Sequence, residues 1–391
     1  MPTLNDFYSQ VRAARPLEPI ALDKPIALED LQTPALVIDL DVFERNLEKM
    51  QTYLSENDIA LRSHTKMHKC PVIALKQVAA GARGVCAAKV SEAEIMCDAG
   101  VQDVLLTSPL ATTDKVDRFV QTRKSHKGLK TVVDHEQSAT LLNEKAAVEG
   151  LIIDVFIDID PGMGRTGVAA GEAALRLAEF VGESKHLRLA GVQMYAGNCM
   201  HVEGFNNRRA KYEKVMQKGM HTLALLNDNG IDVPIVSGGG TGTYNMEADL
   251  GLINELQAGS YAFMDIEYRD IGGRDSDDVY SDFEVSLFVL VTAISQPQSR
   301  LITVDGGFKS FASDKMPPQF RDVEGVIYHW GGDEHGIVQL DNPSCELALG
   351  DKLAMLTPHC DPTVNLHDFY FPYRDGLVHE VWPVSARGFS F

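Results

Sequence analysis

Between positions 33 and 265, short apolar runs rich in β-branched residues alternate with longer segments whose apolar positions recur every three or four residues. Residues 34–40 (PALVIDL) read as a strand. Asp41 with Glu44 three residues on then gives a capping-box start to a helix in which Phe43, Leu47, Met50 and Leu54 share one face. Further strands are expected at 59–62, 84–88, 104–107, 130–133, 152–159, 189–195, 234–237 and 254–257, most of them separated by helical segments. A proline opens the helix at 71–80, and Ser91 with Glu94 caps the one that stops at Gly100. The longest helix should run from about 204 to 226, with Tyr212, Val215, Met216, Met220 and Leu223 on one stripe, and end at Asn229-Gly230. Eight or nine strands alternating with helices over ~240 residues predict an α/β fold, a TIM-like (β/α)8 barrel. A doubly wound open sheet is the rival, but no GxGxxG follows the first strand.

After about position 276 the helical period disappears. Strand-like runs at 285–294, 301–304, 325–330, 336–340, 352–356 and 377–384 are separated by Gly, Pro, Asp and Asn. The expected organisation is therefore an N-terminal extension, 1–30, packing on the β domain, then a barrel, 31–275, and a C-terminal all-β domain, 276–391.

Composition narrows the possible partners. The chain has 391 residues, 45% of them apolar and 23% charged, so it can bury a large core. Thirty-six Lys and Arg against 55 Asp and Glu leave a net charge of −19, a balance that repels nucleic acid and anionic membranes. A small ligand is expected, and an anionic one needs a local exception to that field. The six cysteines show no CxxC spacing, which points to a reducing compartment rather than a disulfide framework or a cysteine zinc site. Asp6, Arg12, Arg15 and Glu18 interrupt any leader-like apolar run, and no stretch approaches the ~20 apolar residues of a membrane span. A soluble, cytoplasmic protein is expected.

In a barrel the chemistry sits just past the C-terminal ends of the strands. Four polar clusters occupy such positions or stand out beyond them. Residues 62–69 (RSHTKMHK) carry two lysines and two histidines, enough for an amine that forms a Schiff base, or else a solvated basic loop. Residues 160–167 (DPGMGRTG) combine glycines that let backbone approach a ligand with the fork of Arg165, or make a plain strand-to-helix turn. The glycine-rich segments 237–243 (SGGGTGT) and 258–261 (AGSY) follow the last two barrel strands, where phosphate is usually gripped. In the β domain, His359 and Asp361 are two apart on a segment read as extended, so both can reach one metal ion while Cys360 faces away. Such a pair is also a common accident of sequence.

Taken together, the TPxLVxDLD start at 33–41, the RxHxKxHK loop, the late glycine-rich phosphate loops and the C-terminal HxD pair resemble the alanine-racemase-type (fold type III) pyridoxal-phosphate enzymes. Within that family the chain is similar to the D-threonine aldolase and D-serine dehydratase branch, over residues 31–391. The resemblance implies that Lys66 holds pyridoxal 5'-phosphate covalently and that Arg165 contacts the cofactor's phenolic oxygen. It further implies that Gly240, Thr241, Gly259, Ser260 and Tyr261 bind the phosphate and that Gln193 and Tyr195 line the ring. His359 and Asp361 would bind a divalent metal. Ser63 stands where the family usually has proline. Asp361 stands where the dehydratases have cysteine, and aspartate suits Mn²⁺, with Mg²⁺, Co²⁺ or Zn²⁺ as alternatives. The implied activity is cleavage of a D-β-hydroxy-α-amino acid to glycine and an aldehyde. The alternatives are dehydration of D-serine or 3-hydroxy-D-aspartate, racemisation, or non-catalytic cofactor binding. A homodimer is implied by resemblance alone.

Overall fold

The computed structural model describes residues 10–391, so the first nine residues of the expected extension lie outside the described part. Eight parallel strands close into a barrel: Ala60–His64, Gly84–Ala87, Val104–Leu106, Leu129–Val133, Ile153–Asp160, Leu187–Met194, Val236–Gly238 and Glu255–Leu256. The ring shuts where Glu255 and Leu256 pair with Ala60 and Leu61. Most of these strands are buried on both faces because helices cover the outside, which is why their sequences read as continuous apolar runs. Inside the barrel, Cys86, Leu105, Val132 and Phe156 form one packed layer. Beneath it the buried Arg62 guanidinium meets Glu255 in a fork (2.7 and 3.0 Å) and Asp103 at 2.6 Å. Arg62 is thus a structural member of the RSHTKMHK cluster.

The expected first barrel strand belongs elsewhere. Ala35–Asp39 pairs in antiparallel register with Leu287–Gln298 and in parallel with Phe369–Arg374, in the ten-stranded sheet of the β domain. Its two faces are both covered: Leu36 and Ile38 pack with Phe43 and Trp382, while Ala35 and Val37 pack with Leu31 and Phe288. A strand buried on both sides carries no mark of which sheet it joins. Farther upstream, Ile20–Ala27 pairs with Leu377–Pro383 along the edge of the same sheet. Arg12 meanwhile bridges Glu94 and Asp98 on a barrel helix (3.2 and 2.9 Å).

Local corrections have simple causes. The helix Leu40–Glu56 is capped by Asp39, whose side chain accepts from Val42 N–H at 3.2 Å, rather than by Asp41. At the start of Val90–Asp98, Glu92 accepts from the N–H groups of Ala88 and Lys89, while the Ser91 hydroxyl bonds the carbonyls of Phe389 and Phe391. His359 is extended, but a short helix, Cys360–Val364, begins immediately after it. No described helix is long and apolar enough to cross a membrane.

Candidate active site

Past the strand Ala60–His64 the chain turns tightly. Thr65 bonds the carbonyl of Cys86 through both its N–H (2.9 Å) and its hydroxyl (2.8 Å), and Lys69 adopts a left-handed φ of +51°. This turn gives the two lysines different surroundings. Lys69 is buried and ion-paired with Glu92. Lys66 stands in the wall of a cavity of about 350 Å³, within the usual size range of a small-molecule site.

Arg165, Gln193, Tyr195, Gly240, Thr241, Gly259 and Ser260 line the same cavity. The structure therefore brings together residues from the first, fifth, sixth, seventh and eighth barrel strands. Around Arg165, Asp160 accepts from the N–H groups of Gly162, Met163 and Gly164 (2.9, 2.6 and 2.9 Å), and both glycines take positive φ. That turn holds the Arg165 guanidinium 5.4 Å from the Tyr195 ring centre. Gln193 is fixed by donating to Asp158 (2.9 Å) and to the Thr107 carbonyl (3.1 Å). Burial pushes the Asp158 carboxyl up to about 6 against the hydrogen bonds from Gln193 and Thr166.

At the glycine-rich end, Thr241 Oγ1 accepts from Tyr261 N–H at 3.0 Å, which leaves the threonine's own hydroxyl proton free to donate. Among the described residues the backbone N–H groups of Thr241, Gly259 and Ser260 have no protein acceptor. A side chain at position 259 would put its Cβ 2.9 Å from the carbonyl oxygen of His64, so only glycine lets these two strand ends approach. Tyr261 is not on the wall: it is buried behind it, with its hydroxyl accepting from Gln77 at 3.4 Å.

Residues outside the expected set also line the cavity, among them His64, Thr107, Ser108, Gln257 and Tyr268. Thr107 and Ser108 follow an apolar run as directly as Arg165 does, so the strand-end rule could have found them. The His64 ring accepts from Lys66 N–H at 3.4 Å. Burial, with the positive charge of Lys66, lowers its pKa to about 3, so it is neutral at ordinary pH. Among the described residues, none lining the cavity is acidic, although the whole chain carries −19. Two cations and a set of unpartnered N–H donors form the local exception that an anionic ligand requires.

Above Lys66 the β domain contributes Asp361, whose carboxylate is ion-paired with the lysine ammonium. Burial acts to lower the Lys66 pKa, and the charges of Asp361 and Tyr195 outweigh it, so the value lies above the ordinary one. His359 Nε2 is 3.8 Å from Asp361 Oδ2, so the short helix keeps the pair on one side while Cys360 faces inward and bonds the carbonyl of Met264 at 3.2 Å. On its other nitrogen, His359 Nδ1 meets Asp314 at 2.9 Å and lies 3.8 Å from Glu267. His201 lies 3.6 Å from Glu267 with its ring against Tyr268. No group of three or more His, Cys, Asp and Glu residues poised to hold a metal is present among the described residues. Of the residues expected to bind metal, His359 and Asp361 stand together as one nitrogen and carboxylate pair.

A parallel barrel with an amine in an acid-free, N–H-rich cavity, joined to a β domain that reaches over it, defines a fold-type III enzyme architecture. The chain belongs to the alanine racemase-like family: residues 38–267 match the alanine racemase N-terminal domain, and residues 286–373 match a serine dehydratase domain. It is similar to a D-threonine aldolase from Arthrobacter sp., at 38% identity over 94% of this chain and 95% of that protein. It is equally similar to a 3-hydroxy-D-aspartate aldolase from Paracoccus denitrificans (strain Pd 1222), at 38% identity over 92% and 93% of the two chains. Among solved structures, D-threonine aldolase from Filomicrobium marinum superposes with a TM-score of 0.89 at 37% identity, covering 95% of this chain and 100% of that one.

Proposed function

We propose that this protein is a pyridoxal-phosphate-dependent aldolase that uses a divalent metal ion to cleave D-β-hydroxy-α-amino acids of the D-threonine or D-phenylserine type into glycine and an aldehyde. The observation that carries the proposal is the position of the Lys66 amine, where the acid-free cavity meets the His359 and Asp361 pair. Lys66 would hold the cofactor. The N–H groups of Thr241, Gly259 and Ser260, with the Thr241 hydroxyl, would hold its phosphate. Gly240 serves the same loop, its N–H turned back onto Thr243 at 3.3 Å. Arg165 would offer a fork to an oxyanion on the ring, and Gln193 and Tyr195 would line it.

Pyridoxal phosphate, when bound, supplies an electron sink for the charge left on Cα as the bond to Cβ breaks. His359 and Asp361 would hold the ion that lowers the pKa of the substrate's β-hydroxyl; Mn²⁺ suits this nitrogen and carboxylate pair. The Lys66 amine is the group in this wall that would return a proton to Cα. Names of the relatives support the aldolase outcome, since the two at 38% identity are both aldolases.

The test is a product assay with D-threonine, pyridoxal phosphate and Mn²⁺. Acetaldehyde and glycine are expected. Keto acid and ammonia without aldehyde would establish a dehydratase instead, and racemised threonine alone would establish a racemase.

A further inference from the structure

Around His359 the carboxylates are distributed unevenly. Nδ1 lies 2.9 Å from Asp314 Oδ2, a full hydrogen bond, and 3.8 Å from Glu267 Oε2. Nε2 has Asp361 at 3.8 Å, beyond hydrogen-bond range. A neutral imidazole carries one proton, and it resides on the nitrogen facing the acceptor that can bond it. Here that nitrogen is Nδ1, so in a neutral ring the Nε2 lone pair would face Asp361. Metal-ligating histidines are typically held in this way, with a carboxylate on the far nitrogen fixing both tautomer and ring angle.

Glu267 gives an independent indication that this side is built around the ring. Its side chain is only 9% exposed, and Oε2 is buried without a hydrogen-bond partner. Its Oε1 meets Lys315 at 3.1 Å and His201 at 3.6 Å. An unpartnered buried carboxylate oxygen is costly, so it needs a donor that the described residues alone do not supply. The nearest nitrogen recorded for that oxygen is His359 Nδ1, whose proton faces Asp314, so Glu267 acts on the ring by its charge and bulk rather than by a hydrogen bond. Lys315 follows Asp314 directly in the sequence, so one segment carries both the bond to His359 and the cation that neutralises Glu267.

We infer that Asp314 is a positioning residue for His359: by taking the Nδ1 proton it presents Nε2 to a divalent cation shared with Asp361, and Glu267 confines the ring from the same side. The inference rests on the metal reading given above for His359 and Asp361. Asp314 belongs to a connecting segment that neither resembles a ligand motif nor lies near His359 in sequence.

The experiment is a Mn²⁺ titration of the purified pyridoxal-phosphate-loaded protein, with free ion followed by electron paramagnetic resonance, so the readout does not depend on turnover. Wild type should bind Mn²⁺, and His359→Ala should lose that binding. Asp314→Ala should weaken Mn²⁺ affinity by about 10–100-fold, the usual effect of removing such a partner, and Asp314→Glu should restore part of it. The cofactor absorbance of the variants should match wild type, which separates lost positioning from misfolding. Wild-type Mn²⁺ affinity in Asp314→Ala overturns the inference while leaving the metal pair standing. Failure of wild type itself to bind Mn²⁺, or undiminished binding by His359→Ala, overturns the metal reading and this inference with it.

Discussion

Lys66 and Asp361 are 295 residues apart in sequence and form an ion pair across the boundary between barrel and β domain. One sits in the turn after the first barrel strand and the other in the short helix after His359. The carboxylate therefore already has a cation in contact with it. A lysine committed to a cofactor carbonyl would no longer offer Asp361 an ammonium, and the carboxylate would then face that space with a weaker ion partner.

The two lysines of the RSHTKMHK turn should respond differently. Lys66→Ala should abolish the cofactor absorbance near ~420 nm, and with it activity, in a protein that still folds. Lys69→Met should instead leave Glu92 buried without its cation and reduce stability by about 3–5 kcal/mol. Urea unfolding and the absorbance of the two variants check this. A Lys69→Met protein of wild-type stability, or a coloured Lys66→Ala protein, contradicts it.

Asp361→Cys should change metal preference rather than eliminate metal binding. A thiolate beside the His359 nitrogen is a softer donor set, so competition between Mn²⁺ and Zn²⁺ should swing toward Zn²⁺ by at least tenfold. Paired titrations of wild type and variant measure the swing, and an unchanged ratio would count against position 361 as a ligand.

Gly259→Ala should weaken cofactor binding. Its new methyl would press on the backbone oxygen of His64 at 2.9 Å, and backbone cannot swing aside as a side chain does. The strand ends carrying Lys66 and the Gly259 and Ser260 N–H groups must then part. A rise of about tenfold or more in the dissociation constant for pyridoxal phosphate corresponds to about 1.4 kcal/mol, and fluorescence titration should detect it. An unchanged constant would show that this close approach does not matter.

Glu247 should make stability depend on pH. Burial pushes its carboxyl up to about 7 even though Tyr212 (2.7 Å) and Thr243 (3.0 Å) donate to it. In the unfolded chain a glutamate titrates near ~4.3, so folding favours the protonated form. That contribution is complete below about 4 and fades as pH rises through about 7, at up to about 1.4 kcal/mol per pH unit. Glu247→Gln cannot ionise, so its stability relative to wild type should climb between pH 5 and 7.5 and then level off. Thermal unfolding across that range tests it, and a constant difference would be the contrary result.

Much of the barrel was legible because its period is local. The alternation of buried strand and amphipathic helix locates the eight strands within a few residues, and the strand-end rule leads to Lys66, Arg165 and the two glycine segments, which line one cavity. The resemblance implies Tyr261 at the phosphate, whereas its side chain is turned into the packing behind the wall. Which of two neighbouring lysines faces the cavity was not a matter of spacing. It depends on Glu92, which captures Lys69 from a different strand–helix unit.

The sequence by itself determined an acidic chain with a repeating β/α half, a β half, and the short polar clusters that carry the chemistry. These are set by composition and by periods of two and 3.6 residues, both readable over a dozen positions. Tertiary structure alone decided that residues 35–39 leave the barrel pattern for the β sheet, that Asp361 reaches Lys66, and that Asp314 stands behind His359. Each of these is a pairing between groups tens to hundreds of residues apart. Strand partners and ion partners over such separations are chosen by the packing of the whole molecule, which leaves no local trace in the chain.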